Sequence, residues 1–287
     1  MKVLVTGGTG RVGSELVGTL QKRGASVRVL TRDKDAKVAP FGAEVAVGDL
    51  LNPESVRSAL NGVDKMFLLV GNVADELTQA LLTYAVARET KIKHVTYLSV
   101  YQAERFQDVP HFIAKYTVET ALKAFEVPFT ILRPGYFFQN DLNLKDLLTG
   151  PGLFPTPIGT AGLAAVDVRD IAEAAALSLT TDGHAGKTYN LVTHSALSGP
   201  DAASVWAKAL GKAVNYPGVP VEAFEQQLRQ FMPPWYAMDL RLMFQRYQER
   251  GFVPAPADAD ALAKLLGHAP RRYEDFVQEA AAAWLEN

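Results

Sequence analysis

Seven residues near the start constrain this chain more than any others: Gly7-Gly8-Thr9-Gly10-Arg11-Val12-Gly13, directly after the apolar run Lys2-Val-Leu-Val-Thr6. The run reads as a β-strand. Beyond the turn, Val12, Leu16, Val17 and Leu20 recur at helical spacing. Glycines 7, 10 and 13 follow G-x-x-G-x-x-G, and glycines 8, 10 and 13 follow G-x-G-x-x-G. Between a first strand and a first helix, this pattern predicts a dinucleotide-binding turn. Glycine lets the backbone approach a pyrophosphate closely, and the helix N-terminus offers unpaired N–H groups and a favourable dipole to the anion. Gly7, Thr9, Gly10, Arg11, Val12 and Gly13 are therefore candidate cofactor contacts. A tight turn without a ligand is the plainer explanation, but three glycines exceed what a turn needs.

The first half alternates strands with helices. Strands are expected over 26–30, 43–47, 65–70, 94–99 and 128–132, and helices through Pro53, Leu81 and residues 112–125. That alternation implies α/β: a Rossmann-type doubly wound parallel sheet, with ligand at the carboxyl ends of its strands. A small, mostly helical C-terminal subdomain follows, with helices over 201–210, 220–229, 235–250, 259–266 and 273–285. Gly211, Gly251 and Gly267 are placed to end three of them. The expected division is a nucleotide-binding domain over 1–135 and a substrate-binding subdomain over 136–287, lying over the ligand edge, with part of 160–195 returning to the Rossmann sheet.

Composition narrows the function. A net charge of −2 over 287 residues argues against direct nucleic-acid or anionic-membrane binding. The absence of cysteine removes disulfides, thiolate catalysis and cysteine-held metals, and fits a reducing cytoplasm. A first strand at residue 2 leaves no room for a signal peptide, and no apolar run reaches the roughly 18 residues of a membrane span. His184, His194 and His268 are isolated, so no metal is expected.

NAD sites usually end strand two with an acidic residue, which bonds the ribose hydroxyl. Here Thr31 takes that place and Arg32 follows. A guanidinium binds a 2′-phosphate that a carboxylate would repel, so NADP(H) is expected over NAD(H), with Lys37 close enough to help. Asp33 pulls the other way if it turns inward. Asp49 and Leu50, after strand three, fall where adenine usually lies; Asp49 as a helix cap is the competing explanation.

Taken in order, Val5-Thr-Gly-Gly-Thr-Gly-Arg-Val-Gly13, Val29-Leu-Thr-Arg32, Gly48-Asp-Leu50, Tyr97-Leu-Ser99, His111-Phe-Ile-Ala-Lys115, Leu132-Arg-Pro-Gly135, Asp167-Val-Arg-Asp-Ile171 and Leu266-Gly-His-Ala-Pro270 resemble the NmrA-like family of atypical short-chain dehydrogenases/reductases. The resemblance implies either an NAD(P)H-dependent reductase of quinones and dyes or a catalytically silent NADP(H)-sensing protein that acts through a regulatory protein partner. It also implies roles for Ser99, at the end of strand five, and for Lys115, which would hold the nicotinamide ribose. The tyrosine of the usual Tyr-x-x-x-Lys pair is His111 in this chain. Three readings compete: His111 donates the proton, the acceptor needs no protein acid, or the site binds NADP(H) without turnover.

Tyr136, Phe137 and Phe138 follow strand six. Tyr136 is a candidate cofactor contact, and Phe137 and Phe138 are candidate walls for a flat aromatic or conjugated substrate. Gly135 would permit close approach to the nicotinamide. Tyr101 is a spare phenol near Ser99, and Trp235 a candidate pocket lid. For the stripe Trp235, Met238, Leu242 and Met243, core packing is the stronger expectation.

Overall fold

The computed structural model describes residues 1–33 and 42–286. The chain forms two compact units, Met1–Arg133 with Val168–Asn190 and Pro134–Asp167 with Leu191–Asn287.

The first unit is built on strands β1 (Lys2–Thr6), β2 (Ser26–Thr31), β3 (Glu44–Val47), β4 (Lys65–Leu68), β5 (His94–Leu98) and β6 (Phe129–Pro134). They run in the order β3-β2-β1-β4-β5-β6, and strand Lys187–Leu191 completes a seven-stranded sheet. Pairings from β3 through β6 are parallel. This is the expected Rossmann-type α/β fold. Its strand order reverses between β1 and β4, where such sheets open a crevice at their carboxyl ends. Thr6 ties the two strands together there. Its hydroxyl donates to the Leu69 carbonyl and accepts from the Leu69 N–H, both at 2.8 Å.

Helices α1 (Arg11–Lys22), α2 (Pro53–Leu60), α3 (Glu76–Glu89) and α4 (Pro110–Ala124) join these strands. The apolar face read from the sequence of α1 is buried: Val12, Leu16, Val17 and Leu20. It packs on helix Val168–Thr180, which is rich in buried alanine: Ala172, Ala174, Ala175 and Ala176. The α3 helix packs between α2 and α4. At the start of α2, Asn52 accepts from the N–H groups of Glu54 and Ser55, and Pro53 takes the first turn.

The second unit is mostly helical, with helices Gly199–Leu210, Val221–Leu228, Pro234–Arg250, Pro256–Leu266 and Tyr273–Leu285. Gly211 and Gly267 end theirs in the left-handed conformation, as expected. It also holds a three-stranded sheet that the sequence did not suggest: Ala196–Leu197, Leu163–Val166 and Tyr136–Phe137. Strands of two residues are too short to show a period. The stripe expected in the core is not there as a whole. Met243 is buried, but Trp235 and Met238 are 40% and 46% exposed. The helix buries Ala237, Phe244 and Tyr247 instead, and Ala237 lies about 200° round the helix from Trp235.

The core of this unit encloses a carboxylate. Asp141 is fully buried and accepts from Trp206 Nε1 (3.0 Å) and from the Tyr273 hydroxyl, while its Oδ1 has no partner. Burial pushes its pKa up from 3.8 to about 6, against the pull of the two hydrogen bonds. The folded state thus holds this proton more tightly, so stability from this group falls as pH rises through that window. Between pH 4.5 and 7.5, urea unfolding of wild type and Asp141→Asn should show wild type losing roughly 2 kcal/mol relative to the variant. A difference independent of pH contradicts this reading.

Candidate functional site

Packing and backbone conformation dictate three of the glycines in the opening turn. Gly7 sits at φ +67°, and a Cβ there would meet Leu69 Cδ2 at 2.5 Å. One at Gly8 would meet Val29 Cγ1 at 2.6 Å, and one at Gly13 would meet the Gly7 carbonyl oxygen at 2.1 Å. Gly10 differs. Its φ is −87°, and the nearest atom to a Cβ would be the Gly7 oxygen at 3.4 Å. Steric packing does not require glycine at position 10. It is the N-cap of α1, and no side chain caps that end of the helix. A bare backbone beside uncapped N–H groups suits an anion.

The turn opens on a cleft of about 440 Å³ at the carboxyl ends of β1 to β4. Gly7 and Thr9 line it from the turn, Thr31 and Arg32 from the end of β2, and Asp49 and Leu50 from beyond β3. The structure thus gathers six of the candidate contacts, and Asp33, the carboxylate that pulls against an NADP preference, lines the same cleft. Arg32 is exposed. The Thr31 hydroxyl accepts from the Asp33 N–H at 3.2 Å. Asp49 is not the helix cap, a role that falls to Asn52; its Oδ1 accepts from the Leu51 N–H at 2.8 Å. Lys37 lies outside the described residues. Gln79, on α3, also lines the cleft. Its sequence context reads as an ordinary helix surface and gave no signal.

Farther along the sheet, two buried carboxylates organise the residues expected to carry chemistry. Glu119, on α4, is fully buried. It takes a 2.5 Å hydrogen bond from the Ser99 hydroxyl and two from Arg133, at 2.8 and 2.6 Å. Arg133 also pairs with Glu104 at 2.9 Å. The second carboxylate is Glu76, in the first turn of α3. Its Oε1 lies 2.5 Å from Lys115 Nζ, and both side chains are largely buried. Neither glutamate was singled out in the sequence. Glu119 lies four residues after Lys115, a spacing that places them on one face of α4. Glu76 reads as no more than the acid that favours a helix N-terminus.

His111 is half-buried on α4, edge-on to Phe112 with ring centroids 4.7 Å apart. Tyr101 is 3% exposed, a buried turn residue. The Tyr97 hydroxyl is buried without a partner, and burial, Glu76 and Glu119 all push its pKa up.

In the second unit, Tyr136 and Phe137 are half-buried in their short strand. Phe138 is a core residue, packed on Tyr273 and Phe276 at 5.3 and 5.9 Å between centroids, with 1% of its surface exposed. Gly135 has a packing reason of its own, since a Cβ there would lie 2.5 Å from the Ala164 carbonyl oxygen. Trp235 is exposed and meets Tyr236 edge-on at 5.5 Å. His194 pairs with Asp260, and His184 bonds the Tyr189 hydroxyl. Among the described residues no three His, Asp or Glu side chains are arranged to hold a metal, and no helix is long and apolar enough to cross a membrane.

The chain belongs to the NmrA-like family, whose model matches residues 1–277. It is 30% identical over 291 residues to an NAD(P)H azoreductase of Xenophilus azovorans, covering 98% of this chain and 99% of that one. The triphenylmethane reductase of Citrobacter sp., solved with NADP(H), superposes with a TM-score of 0.84 at 27% identity, covering 97% of this chain and 99% of that one. The NADPH-dependent quinone oxidoreductase QOR2 of Escherichia coli, solved with NADPH, gives 0.85 at 25% identity, covering 99% and 100%.

The glycine geometry makes a paired prediction. Gly13→Ala should cost about 1–3 kcal/mol or more, since backbone rather than a flexible side chain must give way. Gly10→Ala should cost less than about 1 kcal/mol. Urea denaturation of both variants checks this, and equal losses contradict it.

Proposed function

We propose that this protein is an NADPH-dependent reductase that delivers hydride to a flat, conjugated acceptor of the quinone or dye class. One observation carries the reading: Gly10, a glycine that steric packing does not require, beside the uncapped start of α1. A pyrophosphate needs both features. Gly7, Thr9, Gly10, Arg11, Val12 and Gly13 hold the nucleotide's pyrophosphate, Asp49 and Leu50 border its adenine, and Lys115 holds the nicotinamide ribose. Once bound, the cofactor supplies the hydride.

The preference for NADPH rests on the end of β2. Thr31 stands where a carboxylate would select the 2′-hydroxyl, and Arg32 is an exposed guanidinium on the cleft wall. The relatives support the acceptor class, being an azoreductase, a triphenylmethane reductase and a quinone oxidoreductase. The side chains favour it as well. The Ser99 hydroxyl donates into Glu119, Lys115 is paired with Glu76, and His111 replaces the tyrosine. With so little proton-donating equipment, the site suits acceptors whose reduced form is protonated by His111 or by water.

Two measurements test the reading. Oxidation of NADPH, followed by its absorbance, should be driven by members of a panel of quinones and azo dyes; silence across the panel with NADPH bound points to a sensor instead. Arg32→Ala should weaken NADPH binding about tenfold or more and change NADH binding less than about threefold, as loss of a charge-assisted phosphate contact requires. Equal loss for both nucleotides contradicts the assigned role of Arg32.

A further inference from the structure

The ion pair between Glu76 and Lys115 joins two helices at the candidate site. Lys115 is on α4 and Glu76 opens α3, with 39 residues between them in sequence. The lysine side chain is 13% exposed and the glutamate 5%, and Oε1 and Nζ are 2.5 Å apart. Glu76 has a surface alternative close at hand, since an acid in a helix's first turn is favourable fully solvated. Here it is turned inward. Burying a charge is costly unless a partner compensates it, so the pair locks both side chains into one arrangement.

An ammonium has three donors. The pair uses one, and the remaining two match in number the two hydroxyls of a ribose diol. We infer that Glu76 is the positioning residue for Lys115, fixing the ammonium so that its two free donors face the nicotinamide ribose. This rests on the assignment of Lys115 to the nucleotide site. Glu76 itself touches no ligand and acts through the lysine.

The expected sign is opposite to that of simple electrostatics. NADPH is a polyanion. Removing a carboxylate from near its site should tighten binding if Glu76 acts only as a charge. If Glu76 positions Lys115, Glu76→Gln should weaken binding, because the ammonium loses the partner that orients it. The experiment is titration of NADPH into wild type, Glu76→Gln, Lys115→Met and the double variant, with thermal unfolding of each measured alongside.

The expected result is at least fivefold weaker binding in Glu76→Gln and at least tenfold weaker binding in Lys115→Met. In the Lys115→Met background, Glu76→Gln should add no further loss, as a role exercised through the lysine requires. Binding as tight as wild type, or tighter, in a folded Glu76→Gln protein overturns the inference. So does an equal additional loss in the Lys115→Met background. If Glu76→Gln does not fold, Glu76→Asp carries the test: it retains the charge but withdraws the carboxylate by one methylene, and should bind about threefold more weakly, whereas an unchanged affinity overturns the inference. Wild type that fails to bind NADPH removes both the nucleotide site and the role of Glu76. Wild type that binds, with an unaffected Glu76→Gln, removes the role of Glu76 alone.

Discussion

The close approach of α1 to the end of β1 is the constraint on which the rest of the first unit depends. Gly13 lies so near the Gly7 carbonyl that a single methyl group would sit 2.1 Å from its oxygen. Gly7 makes the approach possible by turning the chain through a positive φ. With α1 set against the turn, its apolar face meets the alanine-rich helix Val168–Thr180. The carboxyl ends of β1 and β4, joined by Thr6, are then left open at the switch point of the sheet. The cleft results from that packing, and Gly10 is the part of the turn that the packing leaves free.

Buried charge organises another part of the same unit. Glu119 is held by Ser99 and by one edge of the Arg133 guanidinium, through Nε and Nη2, and Glu76 by Lys115. Such pairs contribute little net stability relative to well-packed apolar groups, yet breaking one typically costs about 3–5 kcal/mol. Their effect is to fix geometry. They also commit donors: the serine hydroxyl points into a carboxylate, and the lysine spends part of its charge on a glutamate. An acceptor that takes hydride readily and collects its proton from solvent or from His111 is the kind of substrate such a site can serve.

Much of this was legible in the sequence, for physical reasons. The glycine spacing and the alternation of strand and helix gave the fold, because parallel strands buried on both faces leave long apolar runs. Thr31, Arg32, Asp49 and Leu50 could be placed on the cleft because they follow strands whose ends converge there. Other features were hidden. Glu76 and Glu119 look like surface acids on helices, and only tertiary packing turns them inward. The two-residue strands at Tyr136–Phe137 and Ala196–Leu197 carry no period. Phe138 reads as a pocket wall; it borders a cavity of about 610 Å³ in the second unit while most of its ring packs on Tyr273 and Phe276. Trp235 was expected in the core and is exposed, since its helix buries the opposite face.

The central claim is that a pyrophosphate lies on the backbone of the glycine turn. Hydrogen exchange read by mass spectrometry, with and without NADPH, tests it most directly, because it reports on the amides that would donate. The account predicts slowed exchange in peptides spanning residues 7–14, with smaller protection at residues 30–33 and 48–51. Exchange in the glycine turn that NADPH leaves unchanged, while other regions become protected, would contradict it.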